Sequence, residues 1–117
     1  PIQLEQAKLA YSFILEKFQG SHVILAGDSA GGNLALSLFL AVREEKITKP
    51  VGIFCVSPWV NPTAQLSEYP DSFCESDVLI GPFIKRAKET GSGPLSYLYC
   101  NELDKIDPLI SPLFGDL

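Results

Sequence analysis

A doubly wound α/β fold is predicted by three features of this 117-residue sequence. Two short runs rich in β-branched and apolar residues, His22–Ala26 and Val51–Ser57, read as strands buried on both faces, as in a parallel sheet. Between them a Leu- and Ala-rich segment, from about Ala30 to Glu45, reads as a crossover helix. An amphipathic helix precedes the first strand. The order helix, strand, helix, strand is the repeating unit of such folds, and a loop- and helix-rich tail follows it.

In the first helix Leu4, Ala7, Tyr11, Ile14, Leu15 and Phe18 recur at spacings of three and four, with polar residues between them. Gly20 then supplies a terminator. The crossover helix has charges only in its last turn, at Arg43, Glu44 and Glu45, so it is expected to be packed on several sides. Lys49-Pro50 resets the chain and Pro58 stops the second strand. Trp59 to Asp77 reads as loop, Leu79 to Glu89 as a helix ended by Gly91-Ser-Gly-Pro94, and Asp107 to Pro112 as an ordered loop.

Hydrophobic residues make up 46% of the chain and charged residues 20%, a globular composition. Nine Lys and Arg against fourteen Asp and Glu leave a net charge of −5, which argues against nucleic-acid or anionic-membrane partners. No apolar stretch approaches the roughly 20 residues of a membrane span, and no signal-peptide pattern opens the chain. A chain that begins at Pro1 and lacks methionine is expected to be an excerpt or a processed piece. Cys55, Cys74 and Cys100 form no CxxC pair and read as free thiols in a reducing, intracellular compartment. With one histidine in the chain, a zinc site is not expected.

Gly27-Asp28-Ser29-Ala30-Gly31 fits G-x-S-x-G between a buried strand and a helix, the setting that gives the pattern meaning. So tight a turn strains the backbone of the central serine, and Gly27 and Gly31 are expected to supply room for it. The Ser29 hydroxyl then projects from the sheet, and the Ala30 N–H, at the positive end of the helix, is placed for an oxyanion. Gly27 and Gly32 also have the spacing of a phosphate-binding loop. That loop needs Lys and then Ser or Thr next, where this chain has Asn33 and Leu34.

Gly27-Asp-Ser-Ala-Gly-Gly-Asn33 resembles the nucleophile segment of the hormone-sensitive-lipase-like α/β-hydrolases, which are serine carboxylesterases and lipases. Ser57-Pro-Trp-Val-Asn61 and Asp107-Pro-Leu-Ile-Ser-Pro-Leu113 are similar to later segments of the same family. The resemblance implies that residues 1–117 form a partial α/β-hydrolase domain, the nucleophile-bearing portion of a whole of roughly 300 residues. It implies hydrolysis of a small-molecule carboxylic ester through an acyl-enzyme on Ser29, with Ala30 in the oxyanion hole and no metal or organic cofactor. Asp28 would be local support rather than the triad acid. The family's His-Gly-Gly-Gly loop and its triad acid and histidine have no counterpart in this sequence. Plant hormone receptors of similar sequence keep the fold without ester hydrolysis, so a non-catalytic binding protein is the competing reading.

The chain's own residues do not fill the gap. His22 opens the strand whose far end delivers Ser29; at ~3.3 Å per residue they stand about 20 Å apart. A general base works at about 3 Å. Asp71, Glu75, Asp77, Asp104 and Asp107 read as solvated carboxylates, which without a histidine do not activate a serine. Trp59, Tyr97 and Tyr99 have two readings, walls of an acyl pocket or core.

Overall fold

The computed structural model describes residues 1–19, 22–62, 66–91 and 106–117. The chain divides into two compact units, one of Pro1–Asn61 with Leu103–Leu117, the other of Pro62–Glu102.

The first unit holds α1 (Ile2–Lys17), β1 (Ile24–Asp28), α2 (Ala30–Glu44) and β2 (Gly52–Val56). β1 and β2 pair in parallel, Ile24 opposite Gly52 through Asp28 opposite Val56. The predicted strand–helix–strand order stands, but β1 lies two residues later than the sequence predicts. His22 and Val23 precede it because its partner starts only at Gly52, although Val51 N–H still reaches the Val23 carbonyl at 2.8 Å. At its other end the strand runs through Gly27 and Asp28, which read as turn residues yet pair with Cys55 and Val56.

α2 is the centre of the unit. It buries eight residues, Leu40 and Val42 almost completely, and Leu38, Ala41 and Val42 form one cluster with Leu4 and Tyr11 of α1. Each fully buried Leu or Val contributes about 1.5–3 kcal/mol relative to an exposed one. The helix ends in a Schellman motif: Lys46, at φ 56°, donates to the Arg43 carbonyl, and Ile47 N–H reaches back to Val42.

Two expectations fail on the surfaces facing away from α2. Among the described residues the strands are not buried on both faces. Side chains alternate across a strand; Leu25 and Cys55 turn towards α2, whereas Ile24, Phe54 and Val56 turn away and are 51–65% exposed. In α1, Leu4 and Tyr11 are buried, but Ile14 and Phe18 remain exposed. A second apolar ridge of Ile2, Leu9 and Phe13 runs along the opposite side of this helix and is exposed as well. Gly20, the predicted terminator of α1, lies outside the described residues.

In the second unit Leu66–Glu68 forms a 3₁₀ turn, followed by α3 (Asp71–Ser76) and α4 (Gly81–Thr90). The loop predicted up to Asp77 thus contains a helix. Six residues are too few to show a period, and Pro70 and Asp71, residue types common in loops, start the helix. α4 matches the predicted helix and closes on Gly91 at φ 66°. Cys55 and Cys74 are free thiols; Cys100 lies outside the described residues. Among the described residues no helix is long and apolar enough to cross a membrane.

Candidate active site

β1 ends on Asp28 and α2 begins on Ala30, so Ser29 makes the whole corner alone. Its backbone stands at φ 50°, ψ −116°, a region that L-residues rarely occupy. Serine at the head of a helix usually caps it by accepting an amide hydrogen bond. Here the side chain makes no capping bond and the residue is exposed. The corner turns the hydroxyl outward instead of back onto the helix.

The strained backbone is held from several sides. Ser29 N–H donates to the Val56 carbonyl at 3.0 Å, and the Ser29 carbonyl accepts from Trp59 N–H at 2.9 Å and from Asn33 N–H at 3.1 Å. Volume completes the restraint. A Cβ on Gly27 would fall 2.2 Å from the Gly31 carbonyl oxygen, and one on Gly32 would fall 2.7 Å from the Pro58 Cβ. A Cβ on Gly31 would meet no described atom within 4 Å, which corrects the expectation that Gly31 supplies room for the turn. The close approaches are to Gly27 and Gly32: Gly27 lies under the first helical turn, and Gly32 packs on the segment after β2.

Asn33 is the residue whose role the sequence did not disclose. Its side chain is almost fully buried; Nδ2 donates to the Trp59 carbonyl at 2.8 Å and to the Ile110 carbonyl at 2.9 Å. One amide group thereby joins the helix to both Ser-Pro segments. The signal available was an Asn in the first turn of a helix with an otherwise apolar interior, since a buried amide must find partners. The loop at 107–114 is ordered as expected: Ile110 and Ser111 are inaccessible, Asp107 Oδ1 accepts from Leu109 N–H at 2.9 Å, and Leu113 N–H bonds to the Val60 carbonyl at 3.1 Å.

Ala30 is the first residue of α2, where a helix leaves amides without intrahelical partners. Asp28 is exposed and ends the strand beside it. His22 precedes β1, at the opposite end of the strand from Ser29, in a groove that Phe18, Lys49 and Val51 also line. Of the acidic residues, Asp71 pairs with Lys88 at 2.9 Å and Asp77 accepts backbone amides, while Glu75 is exposed on α3. Trp59 is half-buried. Asp104, Tyr97 and Tyr99 lie outside the described residues. Among the described residues no cluster of three or more His, Cys, Asp or Glu side chains is placed to hold a metal ion.

Comparison with known proteins agrees with this fold. An acetyl-hydrolase of Streptomyces hygroscopicus is 32% identical over 120 aligned residues, covering all of this chain and 37% of the relative. An esterase of Acinetobacter venetianus is 27% identical, covering 91% of the chain and 33% of the relative. The crystal structure of a hormone-sensitive lipase from a metagenome library superimposes with a TM-score of 0.74 at 32% identity, over 96% of this chain and 36% of that one. The chain thus spans about a third of the length of the relatives it matches. The family model described as alpha/beta hydrolase fold matches residues 1–117, and the chain belongs to that family.

Proposed function

We propose that the protein containing this chain hydrolyses small-molecule carboxylic esters, with Ser29 as nucleophile. The observation that supports it is the strained corner at Ser29, which leaves an exposed hydroxyl unused by the helix it heads. Relatives named acetyl-hydrolase and esterase point to the same reaction.

In this reading Ser29 Oγ attacks the ester carbonyl carbon while its proton passes to a histidine outside these 117 residues. The carbonyl oxygen becomes an oxyanion and accepts a hydrogen bond from the Ala30 N–H, whose helix also places positive potential there. Collapse of the tetrahedral intermediate expels the alcohol, which takes up the proton, and leaves the acyl group on Oγ. Water then releases the acid by the same steps in reverse. His22 is no candidate for the base, because it stands at the other end of β1.

Labelling the full-length gene product with a fluorophosphonate tests the assignment. One phosphonyl group is expected on Ser29, and Ser29→Ala is expected to lose both labelling and turnover, the latter by on the order of 10⁴-fold or more. The 117 residues alone are expected to turn over no ester. A well-folded full-length protein that takes no label would show a binding protein on a hydrolase scaffold instead.

A further inference from the structure

We infer that Ser57 is a positioning residue: its left-handed backbone holds the Ser29 corner, and its hydroxyl takes no part in the reaction. The inference rests on the ester-hydrolase reading of Ser29. Among the described residues three that are not glycine have positive φ: Ser29 at 50°, Lys46 at 56° and Ser57 at 43°. Lys46 closes a helix and Ser29 makes the corner. Ser57 sits one residue beyond β2, where no helix ends, and L-residues adopt such a backbone only where the surroundings impose it.

Register explains the imposition. Asp28 stands opposite Val56, so the next step of the ladder sets Ser29 beside Ser57. In a regular parallel ladder Ser29 would donate to residue 56 and accept from residue 58. The first bond is made, at 3.0 Å. The second is impossible, because residue 58 is proline and has no N–H. The donor that reaches the Ser29 carbonyl is the next residue, Trp59, at 2.9 Å. One extra residue is thereby fitted opposite Ser29, a bulge, and the left-handed turn at Ser57 takes it up.

The bulged segment is fixed in its turn. Pro58 packs on Gly32 so closely that a Cβ there would fall 2.7 Å from its own Cβ, and Asn33 Nδ2 holds the Trp59 carbonyl at 2.8 Å. The Trp59 backbone is therefore gripped at its N–H by the Ser29 carbonyl and at its carbonyl by the Asn33 side chain. An extended or right-handed Ser57 would swing Pro58 and Trp59 away from this position. The Ser29 carbonyl would lose its Trp59 donor, and the strained corner would lose the support that orients its hydroxyl.

Replacing Ser57 in the full-length gene product separates backbone from hydroxyl. Glycine and asparagine lack the hydroxyl but accept left-handed φ; valine lacks it and resists that conformation. Ser57→Gly and Ser57→Asn are expected to keep kcat on a p-nitrophenyl ester, and the rate of fluorophosphonate labelling, within about threefold of the wild type. Ser57→Val is expected to lower kcat and labelling by on the order of 10²-fold with KM little changed, because a misplaced nucleophile binds substrate but attacks it poorly. Loss in the glycine and asparagine variants as deep as in the valine variant would overturn the inference, as would a valine variant that labels at the wild-type rate. Should Ser57→Val not fold, Ser57→Ala takes its place, with a rate below that of Ser57→Gly; equal rates overturn the inference. A wild-type protein that takes no label defeats the ester-hydrolase reading instead, before any substitution is compared.

Discussion

Around Ser29 the chain is held by neutral groups and by volume, whereas α3 and α4, which also approach closely at Gly81 and Cys74, are tied by charge in addition. The corner depends on backbone bonds to Val56, Trp59 and Asn33, on the buried Asn33 amide, and on the close approaches at Gly27 and Gly32. None of those supports titrates. In the other unit the Asp77 carboxylate accepts three amide bonds ahead of α4, and the Lys88 ammonium spans from α4 to the Tyr69 carbonyl and to Asp71. A corner built from sterics keeps its shape when pH and salt change. A helix pair fastened by exposed ions answers to both.

The steric half of that contrast is open to the largest test. Gly27→Ala would put a methyl group 2.2 Å from the Gly31 carbonyl oxygen, backbone against backbone, with no flexible side chain to move aside. The corner must then rebuild, and activity of the full-length protein is expected to fall by on the order of 10²-fold or more. Gly31→Ala meets open space among the described residues and adds a better helix former, so activity within about threefold is expected. Equal losses in the two variants would mean that volume at Gly27 is not what shapes the corner. Steady-state kinetics on the two variants, with circular dichroism to confirm folding, decides between them.

Much of this half was legible in the sequence. Gly27 to Gly31 between a β-branched run and a Leu-rich run locates the corner, because strand, corner and helix each follow from local sterics and periodicity. The partners of the corner were not legible. That Gly32 is crowded depends on where Pro58 lies, and Pro58 is 26 residues from Gly32 in the chain. Asn33 presents the same difficulty, since the carbonyls that satisfy it belong to Trp59 and Ile110. The strand faces went wrong for a related reason. Ile24, Phe54 and Val56 have the composition of a strand covered on both sides, but composition does not say whether the covering element belongs to the same stretch of chain. In α3 the helix is too short for any period to show, and Pro70 marks its start rather than a loop.

The charged half predicts a pH response. Hydrogen bonds from the backbone amides, that of Ile80 foremost, hold the Asp77 carboxyl below its ordinary 3.8, and the hydrogen bond from Lys88 does the same for Asp71. A depressed folded-state value means that the unfolded chain binds the proton more readily. The stabilisation is therefore fully present above about pH 4 and is lost as the pH falls through the lower folded-state values. Amide exchange at Leu79, Ile80 and Gly81 should stay flat from neutral pH down to about pH 5, after correction for intrinsic rates, and accelerate below about pH 4. The Asn33 amide, bonded to the Ser29 carbonyl, should show no such acceleration in that range. Asp77→Asn keeps an oxygen in place without the charge and is expected to remove most of the pH dependence. If the variant accelerates as the wild type does, the carboxylate is not the cause.

Lys88 offers the smallest and sharpest test. Its ammonium lies 2.6 Å from the Tyr69 carbonyl and 2.9 Å from Asp71 Oδ1, but the Asp71 side chain is 91% exposed. Water and salt screen such a pair, so its net contribution is slight however good the geometry. Lys88→Met keeps the aliphatic stem and deletes only the charge and its donors. The thermal midpoint is expected to fall by no more than about 2 °C. The informative change lies elsewhere: without Lys88 the Asp71 carboxyl should move back up towards 3.8, because the bond that depresses it is gone. Raising salt to about 1 M in the wild type should shift Asp71 in the same direction, since the Debye length then shrinks to about 3 Å. The same salt should leave the rate of Ser29 labelling unchanged with an uncharged fluorophosphonate, because no support of the corner is ionic. Carboxyl titration by NMR and labelling kinetics measure the two responses independently, and a corner that followed Asp71 in its salt dependence would erase the distinction between volume and charge.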